Sequence, residues 1–271
     1  MSLSNYLRKK AARKWDVEFS LGIIRTIKNW PSVLFEDRLS SKSLSLYRLR
    51  NGVKYQVRPK TADRDIVLEV WRRRCYTPEG FEIKPEDTVV DIGAHIGVFA
   101  VFAAHHAKNG RVVAVEPFEE NFQMLRRNIE LNSATNTVAL NKAVSDRRGK
   151  KDLFLSNANT GGHSFIRDFG RSSGEDCRSC AVETLPLADL LKEHGIKRVD
   201  FLKVDCEGAE YEILYSCSKE TLASVSKISM EYHDLDGEKR NVGAMKSFLE
   251  GNGFSVRVEN VGAQLLFARR Q

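Results

Sequence analysis

Three absences narrow the class of this 271-residue chain. No stretch reaches the roughly 18 apolar residues of a membrane span, and the polar, charged start of the chain does not look like a secretory signal. The five cysteines are an odd number, which argues against a disulfide framework, and Cys177 and Cys180 have zinc-ligand spacing without a second pair. We therefore expect a cytoplasmic protein, free or peripheral to a membrane, with no transmembrane segment and no bound metal.

The positive charge of the chain is unevenly distributed. The net charge is +7, but residues 1–86 carry 19 Lys and Arg against 10 Asp and Glu, whereas the remainder carries 24 against 26. The densest basic runs are Arg8–Lys10, Arg13 with Lys14, and Arg72–Arg74. One interpretation is a set of solvated helix faces. The other is a surface for an anionic partner such as phospholipid head groups, an acidic glycan or nucleic acid.

Hydrophobic patterning divides the chain into two predicted parts. Residues 1–85 are expected to be a basic extension, with a helix over 1–30 that Trp30-Pro31-Ser32 breaks, a hairpin over 44–58 and an amphipathic helix over 63–75. Residues 86–271 alternate strands and helices, which favours an α/β domain with a mostly parallel, doubly wound sheet. The predicted elements of this second part are strands 88–92, 111–116, 137–144, 149–156, 181–184, 199–205, 226–232, 253–259 and 264–268, and helices 96–107, 119–132, 187–194, 208–217 and 240–251.

The most informative motif lies where the first of those strands gives way to a helix. Asp91, Gly93 and Gly97 form an acid-and-glycine turn, and glycines let a backbone turn tightly and let a ligand approach it. The next strand ends in Glu116, an acid suited to holding the two hydroxyls of a ribose. The dinucleotide pattern G-x-G-x-x-G and the Walker Gly-Lys-Ser/Thr are both absent. The pattern therefore indicates a nucleotide-type cofactor that is neither a dinucleotide nor a nucleoside triphosphate.

The form Asp91-x-Gly93-x-x-x-Gly97 resembles motif I of S-adenosylmethionine-dependent methyltransferases. That resemblance implies that the glycine turn lies under the methionine part of the cofactor and that Glu116 binds the ribose. The candidate residues for binding S-adenosylmethionine are Asp91, Gly93, Ala94, His95, Gly97, Glu116, Pro117, Phe118, Ala143 and Asp205.

A second group of charged residues follows a later strand. Lys203, Asp205, Glu207 and Glu210 lie within eight residues, with Gly208 at the turn. In an open α/β sheet, ligands bind outside the carboxyl ends of the strands, so these side chains are expected beside Asp91. The alternative is a structural Lys203–acid pair with Glu210 as a solvated helix residue. The next strand ends with Glu231 and His233, which point to the same side because strand side chains alternate.

These motifs, in this order, resemble the FkbM family of methyltransferases over about residues 45–268. The resemblance is carried by Asp91–Gly97, Glu116-Pro117 followed by Asn128 and Asn132, Lys203-x-Asp205-x-Glu207-Gly-Ala-Glu210, and Glu231-x-His233, with Asp63, Glu69-Val70 and Tyr76 upstream. One departure is His95, where Asn is usual. The resemblance implies a Rossmann-like class I fold: a mostly parallel seven-stranded sheet with helices on both faces and a C-terminal antiparallel hairpin. It also implies methylation of a hydroxyl on a sugar, glycan or natural product.

Methylation of a hydroxyl requires a group that removes its proton. The candidate catalytic residues are Lys203, Asp205, Glu207 and His233. His233 has the most suitable unperturbed pKa for a base, while Glu207 is the alternative base or holds His233 in one tautomer. A divalent metal on Asp205, Glu207 and Glu231 is chemically feasible, but nothing in the spacing requires it.

Two other functions stay open at this point. The basic first third favours an RNA methyltransferase, although no RNA-binding module is recognisable and we expect no nucleic-acid partner. The chain could also be a non-catalytic, membrane-peripheral protein that binds the cofactor. The intact Gly93, Gly97, Glu116 and Asp205 argue against that interpretation.

Overall fold

A computed structural model of the protein describes residues 17–36, 44–156, 160–167, 169, 178–261 and 263–271. The elements that precede the central sheet are α1 (Val17–Thr26), α2 (Trp30–Leu34), β1 (Ser45–Arg48), β2 (Lys54–Val57), α3 (Asp63–Leu68) and the π-helix π1 (Glu69–Arg73). The elements that follow are β3 (Thr88–Ile92), α4 (Val98–His106), β4 (Arg111–Val115), α5 (Glu119–Leu131), β5 (Thr137–Leu140), β6 (Ala143–Val144), β7 (Gly149–Phe154), β8 (Ser179–Leu185), α6 (Leu187–Glu193), β9 (Phe201–Val204), α7 (Glu210–Tyr215), α8 (Lys219–Ala223), β10 (Lys227–Glu231), α9 (Val242–Gly251), β11 (Phe254–Val261) and β12 (Ala263–Arg270).

The central sheet has seven strands in the order β11-β12-β10-β9-β3-β4-β5. Strands β10, β9, β3, β4 and β5 run parallel to one another, whereas β12 runs antiparallel to β10 and β11. All four residues of β9 are buried, as a parallel strand covered on both faces requires. The predicted class I architecture, with its seven-stranded sheet and C-terminal antiparallel hairpin, is confirmed.

Two hydrophobic cores cover the two faces of this sheet. On one face, Phe99 and Phe102 of α4 pack with Ile23 of α1 and with Tyr47 and Tyr55 of the hairpin β1–β2. On the other face, side chains of α6, α7, α8 and α9 pack against β3, β9 and β10. Burial of this apolar surface is the main force that holds helices to sheet. The elements ahead of residue 86 therefore share a core with α4, while the domain boundary at 85/86 stays a prediction.

Two asparagines of α5 attach the hairpin to the sheet domain. The side chain of Asn128 accepts from the Gln56 N–H at 2.7 Å and donates to the Gln56 and Ile96 carbonyls at 3.1 and 2.8 Å. One turn later, the side chain of Asn132 makes the same pair of bonds with the backbone of Lys54, at 2.9 and 2.7 Å. Each amide thus acts as an additional strand residue beside β2.

A second, three-stranded sheet lies in the order β6-β8-β7. The prediction of one strand over 137–144 is wrong, because β5 ends at Leu140 and the separate strand β6 begins at Ala143. Asn141 lies between these two strands, and its side-chain amide donates to the carbonyls of Glu116 and Pro117, each at 3.1 Å. The predicted strands 149–156 and 181–184 correspond to β7 and β8, which pair with each other antiparallel in this second sheet.

Local chemistry accounts for two further departures. The helical run predicted to break at Trp30-Pro31 already ends at Thr26, and these residues begin the separate short helix α2, since proline is tolerated in a first helical turn. The helix predicted over 63–75 changes to the π-helix π1 and ends at Arg74, whose φ of 54° lies in the left-handed region.

Several sequence predictions fall outside the described residues. They concern the first half of the predicted N-terminal helix, the basic residues Arg8–Lys10, Arg13 and Lys14, and Cys177. The interpretation of that basic segment as a surface for anionic partners stays a prediction. Among the described residues, no helix combines the length and apolar character that crossing a bilayer requires.

The two asparagines give a matched pair for testing the attachment of the hairpin. Asn128 is fully buried and Asn132 is half-buried. We expect Asn128→Ala to lower the free energy of unfolding by about 2–4 kcal/mol, because buried backbone groups lose their partners. Asn132→Ala should cost about 1 kcal/mol or less, because water can replace its bonds. Urea denaturation measures both, and equal losses would contradict this account.

Candidate active site

The acid-and-glycine turn fits closely between the ends of β3 and β9. Gly93 has a φ of 77°, and a Cβ at this position would lie 1.9 Å from the carbonyl oxygen of Asp205. Gly97 has a φ of 84°, and a Cβ there would lie 2.5 Å from Cδ1 of Leu125 on α5. Gly93 therefore allows the turn to approach the neighbouring strand tip, and Gly97 allows α5 to pack beside it.

Glu116 follows β4 and faces the same turn. Its two carboxylate oxygens accept backbone N–H bonds from His95 at 2.8 Å and Phe118 at 2.9 Å. Burial raises the pKa of Glu116 to about 7, although these two N–H groups oppose the shift. Each oxygen accepts one of these bonds and retains a lone pair for a ligand hydroxyl.

Lys203 lies buried between the two strand tips. Its ammonium donates to the Gly93 carbonyl at 2.7 Å and lies 3.2 Å from Asp91 and 3.5 Å from Asp205. Burial alone would lower the pKa of Lys203, but the carboxylates of Asp91 and Asp205 raise it overall. Lys203 is thus a cation that joins the two motifs, and the sequence alternative of a structural pair describes its contacts best.

Glu210 organises the turn after β9 and holds His233. This carboxylate is fully buried, and its Oε1 accepts from the backbone N–H groups of Cys206 at 3.2 Å and Gly208 at 3.1 Å. The same oxygen lies 3.0 Å from Nδ1 of His233, which donates to it. The sequence interpretation of Glu210 as a solvated helix residue is wrong. Its first-turn position on α7 turns it inward, and Glu210, rather than Glu207, fixes the imidazole through Nδ1.

Glu207 faces the other nitrogen of the same imidazole. Its Oε2 lies 3.5 Å from Nε2 of His233, and its backbone has a φ of 50°, which is uncommon outside glycine. The hydroxyl of Ser164 donates to the Glu207 carbonyl at 2.6 Å and so holds the turn from outside. Burial raises the pKa of Glu207 to about 8, with the His233 charge opposing the shift.

His233 is a cation at neutral pH in this environment. Burial would lower its pKa, but the hydrogen bond to Glu210 and the charges of Glu210 and Glu207 raise it to about 10. A group with that pKa binds its proton too firmly to serve as a base near pH 7.

Tyr76 brings the N-terminal extension into the site. Its hydroxyl donates to Asp205 at 2.8 Å and lies 3.5 Å from Oε2 of Glu231. Burial and the nearby charge of Asp205 raise the pKa of Glu231 well above its usual range. The acids at this end of the sheet are thus connected by a shared phenol hydroxyl.

His95 occupies the middle of the glycine turn with a φ of 52°. Its Nε2 lies 2.9 Å from the Arg58 guanidinium, which donates to it, and 3.6 Å from the buried carboxylate of Asp63. Burial lowers the pKa of His95 to about 4, although Asp63 opposes the shift. His95 is therefore neutral at pH 7, and the residue that departs from the family pattern is fixed by the extension.

One cavity of about 600 Å³ connects these groups. Among the predicted site residues, those that line it are Gly93, Ala94, His95, Glu116, Pro117, Ala143, Lys203, Asp205, Glu207 and His233. Glu231, Tyr76, Glu69 and Asn121 line it as well. The cavity thus extends from the ribose-type acid Glu116 to the Glu207–His233 pair.

Three predicted cofactor residues do not line this cavity. Asp91 is fully buried behind Lys203, Gly97 faces Leu125, and Phe118 packs in a small cluster with Ala143 and against His163. Their contacts are those of supporting residues: Asp91 holds Lys203, and the Phe118 N–H holds Glu116. Which predicted residues line the cavity depends on the direction of each side chain at the end of its strand, and the spacing of residues in the sequence does not determine that direction.

Several residues of the site, besides Glu231, Tyr76 and Glu69, were not among the predicted cofactor and catalytic residues. Arg58 and Asn121 are linked by a 2.8 Å bond at the cavity edge, Ser164 holds the Glu207 turn, and Glu210 holds His233. Glu210 had a sequence signal, its position three residues after Glu207 at the start of a helix. The described residues contain no group of three or more His, Cys, Asp or Glu with the arrangement of a metal site.

The imidazole of His233 gives a direct test of this geometry. Its folded pKa, about 10, lies above its ordinary value of 6.5. The contribution of His233 to the free energy of unfolding should therefore be fully present below pH 6.5 and should disappear as the pH rises to about 10. Observation of the imidazole by NMR should show this high midpoint, and Glu210→Gln should lower it. A midpoint near 6.5 in the unsubstituted protein would contradict the arrangement.

Comparison with known proteins identifies a family and several relatives. The family model described as "Methyltransferase FkbM domain" matches residues 91–256. The "31-O-demethyl-FK506 methyltransferase FkbM" of Streptomyces tacrolimicus is 29% identical over 215 residues, covering 70% of this chain and 81% of the relative. "Methyltransferase sdnD" of Sordaria araneosa is 28% identical, covering 90% and 99%.

The solved structures that resemble the chain include methyltransferase FkbM from Methylobacillus flagellatus. That structure is 14% identical with a TM-score of 0.48, and the match covers 74% of this chain and 47% of the other. The family model matches more than half of the chain and includes both strand-tip motifs. The protein belongs to the FkbM family of methyltransferases.

Proposed function

We propose that this methyltransferase uses S-adenosylmethionine and methylates a hydroxyl oxygen of a sugar, glycan or natural product. The observation that carries the proposal is the single cavity that joins Glu116 to the Glu207–His233 pair. A ligand held at one end can present a reactive group at the other. The relative from Streptomyces tacrolimicus supports an oxygen acceptor, since its name describes a methyltransferase of 31-O-demethyl-FK506.

The chemistry of the cavity fits this cofactor. Glu116 offers carboxylate lone pairs to two ribose hydroxyls, and Gly93 and Ala94 of the glycine turn line the same cavity. The volume of about 600 Å³ lies within the usual range for small-molecule sites. S-adenosylmethionine supplies an electrophilic methyl group when it is bound.

The residues at the other end of the cavity provide proton removal and alignment. Glu207, with a pKa raised to about 8, is near the working pH at which a general base is most effective. His233 remains protonated, and its Nε2 lies 3.5 Å from Glu207, so its charge acts on that carboxylate. Asp205 and Glu231, joined through Tyr76, offer acceptors for further hydroxyls of the acceptor molecule. Alignment in such a cavity contributes much of the rate in a displacement.

The cofactor assignment is tested at Glu116. Loss of two charge-assisted bonds should cost roughly 2–4 kcal/mol of binding free energy. Glu116→Ala should therefore bind S-adenosylmethionine at least tenfold more weakly by calorimetry, and circular dichroism should show an intact fold. Glu120→Gln, at an exposed acid on α5, is the matched control and should bind normally. Wild-type affinity in Glu116→Ala would refute the assignment, and tight binding of NAD by the wild type would refute the cofactor.

The base assignment is tested by pH and by substitution. With Glu207 as the base, turnover should rise with pH to a midpoint near 8, because the carboxylate must be ionised. Glu207→Gln should lose roughly 10²–10⁴-fold in turnover with cofactor affinity retained. If His233 is the base, the midpoint should lie near 10 and Glu207→Gln should stay active. If chelators abolish the activity and Mg²⁺ restores it, activation of the acceptor hydroxyl would be assigned to a metal ion instead.

A further inference from the structure

A second concave surface lies at the opposite end of the central sheet from the candidate active site. This groove, of about 520 Å³, is lined by six basic side chains: Lys84, Lys197, Arg198, Lys227, Arg269 and Arg270. Lys227 begins β10, and Glu231, in the active-site cavity, ends it. Four residues of strand separate the two sites by about 13 Å. No described residue lines both.

The charges of the groove are concentrated by the register of the sheet. Lys227 of β10 is the direct partner of Arg269 on the antiparallel strand β12. Directly opposed residues project on the same face, and like charges in this position destabilise a sheet. None of the nine described lining residues is acidic. Lys227 and Arg269 thus repel each other in the free protein, and an anion bound between them would offset this repulsion.

The arginines Arg270 and Arg198 are held by the protein itself. Arg270 donates to the carbonyls of Leu222, Val225 and Asn252, and Arg198 pairs with Asp200 at 2.9 Å. No ion pair between described residues involves the other four cations.

Lys227 is positioned without being neutralised. Its ammonium donates to the backbone carbonyl of Glu82 at 2.9 Å, which fixes the group. The carboxylates of Glu82 and Asp87 act on Lys227 from outside the lining, but burial and the charges of Lys84 and Arg269 lower its pKa. The groove therefore has a net excess of positive charge.

The lining also indicates the class of ligand. The hydroxyls of Ser224 and Ser226 add small hydrogen-bonding groups to the lysines and arginines. The described lining contains no aromatic ring, which a nucleobase would need for stacking. The volume exceeds what one phosphate requires. We propose that the groove binds a ligand with several phosphate groups, which is either a phosphorylated lipid head group or a soluble polyphosphate.

Binding of tripolyphosphate at low ionic strength tests this proposal. The wild type should bind, with an affinity that falls as salt is added. The double substitution Lys227→Gln with Arg269→Gln should bind at least tenfold more weakly, and circular dichroism should show an intact fold. The matched control, Lys54→Gln with Lys150→Gln, removes two exposed lysines elsewhere and should bind within twofold of wild type.

Vesicles distinguish the two sources of the phosphate groups. Sedimentation with vesicles that contain phosphatidylinositol bisphosphate, but not with phosphatidylcholine vesicles, would assign the groove to a lipid head group. Binding of tripolyphosphate without sedimentation would assign it to a soluble ligand. The single variant Arg269→Gln repeats the test if the double variant does not fold. The proposal is wrong if wild type binds neither probe, if the groove variants bind normally, or if the control loses as much affinity.

Discussion

The buried ammonium of Lys203 is the interaction on which the candidate active site depends. It contacts Asp91 of β3, Asp205 beyond β9 and the carbonyl of Gly93, so the ends of two adjacent strands meet around one cation. Removing one partner of such a buried group leaves the other charges buried without a partner. This typically lowers the free energy of unfolding by about 3–5 kcal/mol. Lys203 therefore fixes the distance between the glycine turn and the acids, and this distance determines what the cavity can hold.

The extension ahead of residue 86 is part of the site as well as part of the core. Tyr76 donates to Asp205, and Arg58 with Asp63 holds the imidazole of His95. The π-helix π1 contributes Glu69 to the cavity wall, and π-helical turns often occur at functional sites. The cavity is thus formed by the sheet domain on one side and by the extension on the other.

Most of the fold could be predicted from the sequence because local signals agreed with it. Apolar runs ending in Asp91 or Lys203 identify buried strands, and Asn51-Gly52 identifies the hairpin turn. The site was only partly predictable. Asp91 could face either the cavity or the ammonium of Lys203, and Glu210 could be either solvated or buried. Packing between segments that are distant in sequence decides both questions. The pKa of His233 could not be predicted either, because it is set by two carboxylates that only the folded chain brings together.

The central claim is that the chain transfers a methyl group from S-adenosylmethionine to an oxygen at the Glu207 end of the cavity. The most direct test is incubation of the protein with S-adenosylmethionine carrying a ¹³C-labelled methyl group and with fractionated cell extract. NMR of the labelled product identifies the atom that carries the methyl group. The account predicts an oxygen-linked methyl in a fraction that contains hydroxylated small molecules or glycans. Label on nitrogen or carbon, or label found only in RNA, would contradict it.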